Sequence, residues 1–351
     1  MKFVTMLQMT IGESTRRACW TVAAVLLCLL SVTGADNDTP ERRVAVVTLI
    51  TTSVYIPGAQ VLVESLKRVN ATGDKILLWV SSEDDGRSDL THDHMQDLTD
   101  AGWTKTIQLT EQDGTLTSCQ VSESQQAMIE TTPGLAGVAR YWGTCNKFAM
   151  WTLTEYDAVI YLDADSLALN NFDFVYDYIQ DDTVFAAQGN TDCWEEPPYN
   201  ECKNFYTAFM AIKPMENVAK YFHDLAQREG TYLVGGELEL LNRVIARWNH
   251  LPRYTLVAQS EKARPLVDPG SPEVDWTQVN VYDFAGPPTT KPWKTYWLQK
   301  ETGDKYANAH LERITPDMPA FHTYVHPQWV WNEYYDAVLE RKRLKDIRDE
   351  L

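Results

Sequence analysis

The sequence predicts an α/β fold in which strands alternate with helices around a doubly wound sheet, and three observations carry that prediction. Val44 to Ile50 is an apolar, β-branched run followed by turn-formers, which reads as a buried strand. A helical pattern and a second apolar strand follow it directly, the order of a parallel βαβ unit. Further on, the apolar run Ala158 to Leu162 stops abruptly at two carboxylates, Asp163 and Asp165. In open α/β sheets ligands sit outside such carboxyl ends.

The elements can be justified in chain order. After the first strand, Pro57 suits an opening helical turn, Ala59, Val61, Leu62 and Leu66 recur at helical spacing, and Lys67 and Arg68 stand near the helix end. Lys75 to Val80 reads as the second strand, then Thr91 to Ala101 as a helix and Thr104 to Leu109 as a strand. Thr110 to Val138 is polar, holds Gly114, Pro133 and Gly134, and has no period, so it is a long loop or insertion. A helix over Cys145 to Leu153, the strand Ala158 to Leu162, an apolar segment over Asn204 to Ile212 and helices over Glu216 to Arg228 and Gly236 to Trp248 complete the pattern. No internal repeat, low-complexity tract or obvious linker divides the 351 residues, so a single large domain is expected.

Composition narrows the function. With 44% hydrophobic, 11% aromatic and 23% charged residues the chain is globular. Its net charge of −18 disfavours a broad polyanion surface, so nucleic acid is not an expected partner. An anionic ligand would need a local positive site or a metal.

The two ends suggest a compartment. Lys2, Arg16 and Arg17 precede the apolar run Ala18 to Val32 and the small residues Thr33, Gly34 and Ala35, a secretory signal layout over residues 1–35. The run is shorter than the roughly 20 residues that span a bilayer comfortably, so cleavage is favoured over a retained anchor, and a membrane is a partner only if the signal stays. At the other end, Arg348-Asp349-Glu350-Leu351 is one residue from the Lys-Asp-Glu-Leu retrieval signal. An endoplasmic reticulum lumen protein met by a KDEL-type retrieval receptor is expected, with Golgi or secreted as the alternative. Residues 1–35 carry Lys2, Arg16 and Arg17 against Glu13, so trimming takes the charge from −18 to −20. Four cysteines remain: Cys119, Cys145, Cys193 and Cys202. In an oxidising lumen they suggest disulfides; a local bridge across the turn-forming loop between Cys193 and Cys202 would leave Cys119 with Cys145, although spacing alone leaves connectivity open. Zinc is the competing use, but no CxxC pair is present. Sequons at Asn37 and Asn70 fit luminal exposure, with Pro40 weakening the first.

Asp163 and Asp165 could offer carboxylate oxygens to one hard cation, and that cation could hold a diphosphate. Alone, such a pair is common turn material. The surrounding text changes the balance: Asn146-Lys147-Phe148-Ala149-Met150-Trp151, then Leu153-Thr154-Glu155-Tyr156-Asp157, the strand, Asp163-Ala164-Asp165, and Leu167-Ala168-Leu169-Asn170-Asn171-Phe172-Asp173. With Val47-Thr48-Leu49, Tyr55, Gly58, Ala59 and Ser65-Leu66 near the start, this resembles the glycogenin-like glycosyltransferases of family 8, retaining enzymes with the GT-A fold. The likeness runs with gaps from about residue 44 to Trp293. It implies a Rossmann-like mixed sheet flanked by helices, a GT-A domain over residues 44–300 and a helical extension over 301–351.

The resemblance also implies roles. Asp163 and Asp165 match the metal-binding Asp-x-Asp, usually for Mn2+, with Mg2+ as the alternative. Lys147 matches a lysine that reaches the donor UDP-sugar, and Thr48 and Tyr55 fall where the uracil is held. Asp283-Phe284-Ala285-Gly286 and Lys291-Pro292-Trp293 resemble the segment carrying the third metal ligand and a diphosphate-contacting lysine, so Ala164, Gly286 and Lys291 join the donor-binding set. Glu237 would orient the sugar or stabilise positive charge at its anomeric carbon. Four departures stand out: Asp283 replaces a histidine, Thr289 and Thr290 lengthen the approach to Lys291, Tyr206-Thr207-Ala208 replaces Asn-x-Gly, and Gly235-Gly236-Glu237-Leu238 replaces Gly-Gly-Asp-Gln. A carboxylate at 283 still suits a hard cation. His322 and His326 have i, i+4 spacing, but Pro327 and the aromatic residues around them favour packing.

The implied activity is transfer of a hexose from a UDP-sugar to a glycan, protein or lipid acceptor in the lumen, with retention. The alternative is a catalytically degenerate binding protein on the same fold. A dinucleotide oxidoreductase is excluded because no GxGxxG follows the first strand.

Overall fold

The computed structural model describes residues 42–119, 122, 127, 131, 138–189, 204–228, 236–252, 254–258, 277–286, 291–303 and 327–350. The chain divides into Met1–Arg42 and Arg43–Leu351, and all the elements below lie in the second unit. The signal layout, Asn37, Cys193, Cys202, Gly235, Thr289, Thr290, His322, His326 and Leu351 fall outside the described residues. No described helix is long and apolar enough to cross a membrane.

The first strand, β1 (Val44–Ile50), is followed by α1 (Ile56–Arg68) and β2 (Asp74–Val80), and β1 pairs with β2 in parallel as the βαβ reading requires. Next come α2 (His92–Ala101) and β3 (Lys105–Leu109), the latter parallel to β2. β4 (Ala158–Leu162) returns to the other side of β1, also in parallel. After the short β5 (Ser166–Ala168), β6 (Phe185–Gly189) and β7 (Phe205–Ile212) pair with each other antiparallel, and β7 runs antiparallel to β4. The helices α3 (Glu216–Ala226) and α4 (Gly236–Val244) precede β8 (Asn249–His250), β9 (Leu256–Ala258) and β10 (Val281–Asp283). The chain closes with α5 (Pro292–Thr302) and α6 (Pro327–Glu350). Seven strands form a mixed sheet in the order β3-β2-β1-β4-β7-β6-β8, and β5-β10-β9 form a small second sheet.

Alternation along the central strands explains why they read as unbroken apolar runs. Val46 and Ile50 enter one core with Ile160, Leu162 and the apolar faces of α1 and α2. Their neighbours Ala45, Val47 and Leu49 enter the opposite core with Val159, Tyr161, Phe148, Trp151 and Phe222. A sheet covered on both faces leaves no polar face to reveal a period. A third core joins the small sheet to α5 and α6 through Leu167, Phe284, Trp293, Tyr296, Trp331 and Tyr335.

One local feature differs from the expectations. The segment expected as a helix over Cys145 to Leu153 is a longer 3-10 stretch, Val138–Thr152. Side chains take up carbonyls three residues back, Asn146 on Gly143 (3.0 Å) and Thr152 on Ala149 (2.7 Å), which suits the tighter winding. Cys145 within it is bonded to Cys119, and the Asn146 side-chain oxygen accepts from the Thr117 amide at 2.6 Å. The final helix occupies Pro327–Glu350 within the segment read as a helical extension. It is tied to α1 by Arg341–Glu64 (2.6 Å) and Glu333–Arg68 (3.1 Å), and to α2 by Lys342–Asp97 (2.6 Å). Asn70 is exposed, just past the end of α1.

Candidate active site

The order of the large sheet reverses between β1 and β4, because β2 and β3 lie to one side of β1 while β4 and β7 lie to the other. A crevice opens at the carboxyl ends of strands at such a switch point. The Thr48 hydroxyl ties β1 to the end of β4 there by donating to the Leu162 carbonyl at 2.7 Å. Immediately beyond Leu162 the chain turns, with the Ser166 amide donating to the Asp163 carbonyl at 2.9 Å, and enters β5 of the other sheet. Asp163 and Asp165 therefore stand where the two sheets meet.

The close approach of α1 shapes this turn. A Cβ on Gly58 would lie 2.4 Å from the Ala164 carbonyl oxygen and 2.8 Å from a ring atom of Trp293. Only glycine lets the helix come this near. Ala164 is buried beneath it, and the Asp163 amide is held by the Ala208 carbonyl of β7 at 3.0 Å.

Four more elements bring charged side chains to the turn. Lys147, on the 3-10 stretch, is 4% exposed, and its ammonium lies 2.8 Å from Asp163 Oδ1 and 2.6 Å from Glu237 Oε1. Glu237 belongs to the first turn of α4, is 3% exposed, and also accepts the Thr207 hydroxyl at 3.0 Å. Lys291, just before α5, pairs with Asp165 and donates to the Phe284 carbonyl at 2.9 Å. Asp283 ends β10, directly opposite Ser166 of β5, and is 2% exposed. Its Oδ2 accepts the Tyr206 hydroxyl at 3.2 Å, while its Oδ1 is buried with no hydrogen-bond partner.

Electrostatics binds these groups into one network. Burial works against the Lys147 ammonium, but Asp163 and Glu237 outweigh it and raise its pKa above the ordinary lysine value. Lys291 behaves alike: burial opposes its charge, and Asp165, with Tyr55 and Asp283, more than restores it. Asp283 goes the other way. Burial first, then the Asp165 and Asp163 charges, push its carboxyl well above the usual range, with Lys291 and the Tyr206 hydroxyl countering in part. Burial and the Asp283 charge likewise raise the Tyr206 phenol, which keeps its proton to donate.

The structure thus gathers Lys147, Asp163, Asp165, Glu237, Asp283 and Lys291. It sets Thr48 behind them, fully buried. Tyr55 is half-buried, with its ring edge-on to Trp293 at 5.6 Å between centroids. Gly286 follows two residues after Phe284, exposed and at φ 144, a conformation that favours glycine. Sequence reasoning gave no role to Tyr161, whose hydroxyl donates to Asp163 Oδ1 at 2.9 Å and whose ring lies 4.9 Å from the Lys147 ammonium. Its position two residues before Asp163, on the same side of an extended strand, was the available signal. Thr207, within the Tyr206-Thr207-Ala208 departure, holds Glu237 through a contact between residues 30 apart that the sequence does not reveal.

Both lysines rest on carboxylates, and no three His, Cys, Asp or Glu side chains among the described residues are gathered to hold an ion as they stand. The donor chemistry nevertheless fits a hard divalent cation: two carboxylates on one turn and a third, Asp283, with an unsatisfied buried oxygen.

Comparison with known proteins bears on the fold that carries these residues. No protein-family model matches the chain. It is 28% identical over 221 residues to UDP-glucuronate:xylan alpha-glucuronosyltransferase 2 of Arabidopsis thaliana, covering 62% of this chain and 30% of that protein. It is 26% identical over 306 residues to human glycogenin-1, covering 84% and 73% of the two chains. The glycosyltransferase GlyE of Streptococcus pneumoniae TIGR4 superposes with a TM-score of 0.50 at 14% identity, over 87% of this chain and 65% of that one. The fold is that of the GT-A glycosyltransferases. Its homologues are the glycogenin-like enzymes of family 8, and the chain spans less than a third of the length of the plant relatives it matches.

Proposed function

We propose that this protein transfers a hexose from a UDP-sugar to a luminal glycan, protein or lipid acceptor, with a divalent cation, Mn2+ or Mg2+, at Asp163, Asp165 and Asp283 and with retention of configuration. The observation that carries the proposal is the buried network at the β1–β4 switch point. Four carboxylates, Asp163, Asp165, Glu237 and Asp283, face two ammonium groups, Lys147 and Lys291. With every group ionised, two negative charges remain, the amount one divalent cation neutralises. Bound there, the cation would supply the positive charge that holds the diphosphate and stabilises it as a leaving group.

The chain's own residues account for the rest. Lys147 and Lys291 are buried, fixed and charged, and each can turn from its carboxylate to a phosphate oxygen once a cation takes that carboxylate. Glu237, gripped by Lys147 and Thr207, is oriented for the sugar, where its charge would favour positive charge developing at the anomeric carbon. The Tyr55 ring, propped edge-on by Trp293, offers a flat face for the uracil. A luminal setting is part of the proposal, and the leader-like stretch over residues 1–35 supports it.

A binding protein that keeps the fold without turnover is the competing reading, favoured by the lysines that rest on the Asp-x-Asp carboxylates. A panel of UDP-sugars screened for thermal stabilisation with Mn2+ tests the proposal. A donor at 100 times its Kd adds about 2.7 kcal/mol, and one sugar should stand out from UDP-glucose, UDP-galactose, UDP-xylose and UDP-glucuronate. No Mn2+-dependent shift with any of them would overturn the proposal.

A further inference from the structure

Neighbouring residues of β7 project to opposite faces, and each of two neighbours holds a different carboxylate. Thr207 donates to Glu237, and Tyr206 donates to Oδ2 of Asp283. Unlike Asp163, Asp165 and Glu237, Asp283 forms no ion pair among the described residues. Its Oδ1 is buried and unpartnered. So is the hydroxyl of Ser166, directly across the β5–β10 pairing. Opposed residues of an antiparallel pair share one face, so two unsatisfied oxygens lie together beside the Asp163–Asp165 turn. Buried oxygens without partners are rare, and each calls for a group that completes it.

A short carboxylate side chain can present either oxygen, and a donor fixed on one oxygen decides which is presented. We propose that Tyr206 is a positioning residue for the cation site, pinning Oδ2 of Asp283 so that Oδ1 is the ligand atom. The inference rests on reading Asp163, Asp165 and Asp283 as cation ligands. It pairs two departures from the family pattern: a carboxylate at 283, which has two interchangeable oxygens, stands with a phenol at 206 that makes them unequal.

The test is Mn2+ binding, followed as loss of the free-ion EPR signal in the presence of UDP, on the full chain. Tyr206→Phe should weaken Mn2+ binding by about tenfold, the low end for losing a partner of a metal ligand, and lower the metal-free Tm by only about 2–4 °C, the cost of one buried hydrogen bond in a chain of this size. In an Asp283→His background, where no carboxylate remains to be fixed, Tyr206→Phe should change the affinity less than about twofold. Undiminished binding by Tyr206→Phe, while Asp163→Asn abolishes binding, would overturn the inference and leave the proposed function standing. Should Tyr206→Phe not fold, Asp283→Asn decides: its carbonyl oxygen can still accept from Tyr206, but an amide replaces the ligand oxygen. Wild-type affinity there would also overturn the inference. Binding by neither the wild type nor Asp163→Asn would instead sink the cation reading on which it rests.

Discussion

Replacing Lys147 by methionine tests whether the charged network is a real unit. Lys147 and Glu237 are 4% and 3% exposed, and the ammonium serves two carboxylates at 2.8 and 2.6 Å. Methionine keeps most of the side-chain volume and removes the charge. It strands Glu237 as a buried carboxylate with only the Thr207 hydroxyl as a side-chain donor among the described residues, while Asp163, with a side chain 30% exposed, can turn to water. Loss of one partner of a buried pair costs about 3–5 kcal/mol, a fall of roughly 6–20 °C in Tm at about 2–4 °C per kcal/mol. Adding Glu237→Gln removes the stranded charge, so Lys147→Met with Glu237→Gln should recover about half of that loss and end above Lys147→Met alone. Urea unfolding of the four proteins, metal-free at neutral pH, measures the cycle. The reasoning is refuted if Lys147→Met lies within about 1 kcal/mol of wild type, or if Glu237→Gln adds a cost of its own in the Lys147→Met background.

Other consequences follow from the same geometry. Gly58→Ala forces a methyl group against the Ala164 carbonyl and Trp293, so it should cost about 1–3 kcal/mol and weaken Mn2+ binding as the Asp-x-Asp turn shifts; a variant with wild-type Tm and Mn2+ affinity would contradict that packing. Glu64 ties α1 to the final helix. Burial raises its pKa, but the Arg341 and Arg68 pairs prevail and set it below 4.5. A carboxylate with a depressed folded pKa contributes stability above its unfolded value and loses it as pH falls through the folded one. Glu64→Gln should therefore lower stability by about 1 kcal/mol at neutral pH and by progressively less below pH 4.5, read as Tm against pH. A difference that persists undiminished in acid would speak against it.

How much of this was legible beforehand depended on element length and on sequence separation. Val44–Ile50 and Ala158–Leu162 were readable to the residue because central strands covered on both faces are continuous apolar runs bounded by turn-formers. β5, β9 and β10 have three residues each, too few for any period to show. Their sheet exists through long-range register such as Asp283 opposite Ser166. The same limit governs the site. The pair Asp163 and Asp165 announced itself at the end of a strand, and Lys147, Glu237, Asp283 and Lys291 came from family likeness. Which charge meets which did not: Lys147 meets Glu237 across 90 residues, and Lys291 meets Asp165 across 126. Both lysines were expected to face phosphate, and burial explains why they face carboxylates in the protein alone, since an unpaired buried ammonium is costly.

The central claim is that the Asp163–Asp165 turn recruits a cation to act on a UDP-sugar. The direct measurement is release of UDP from the donor that the screen selects, with purified wild type and Asp163→Asn, with and without Mn2+. The account predicts turnover by wild type that needs the cation and falls by at least about a hundredfold in Asp163→Asn, as loss of a few kcal/mol of transition-state stabilisation requires. Equal UDP release by the two proteins, or release by wild type that is indifferent to chelation, would contradict it.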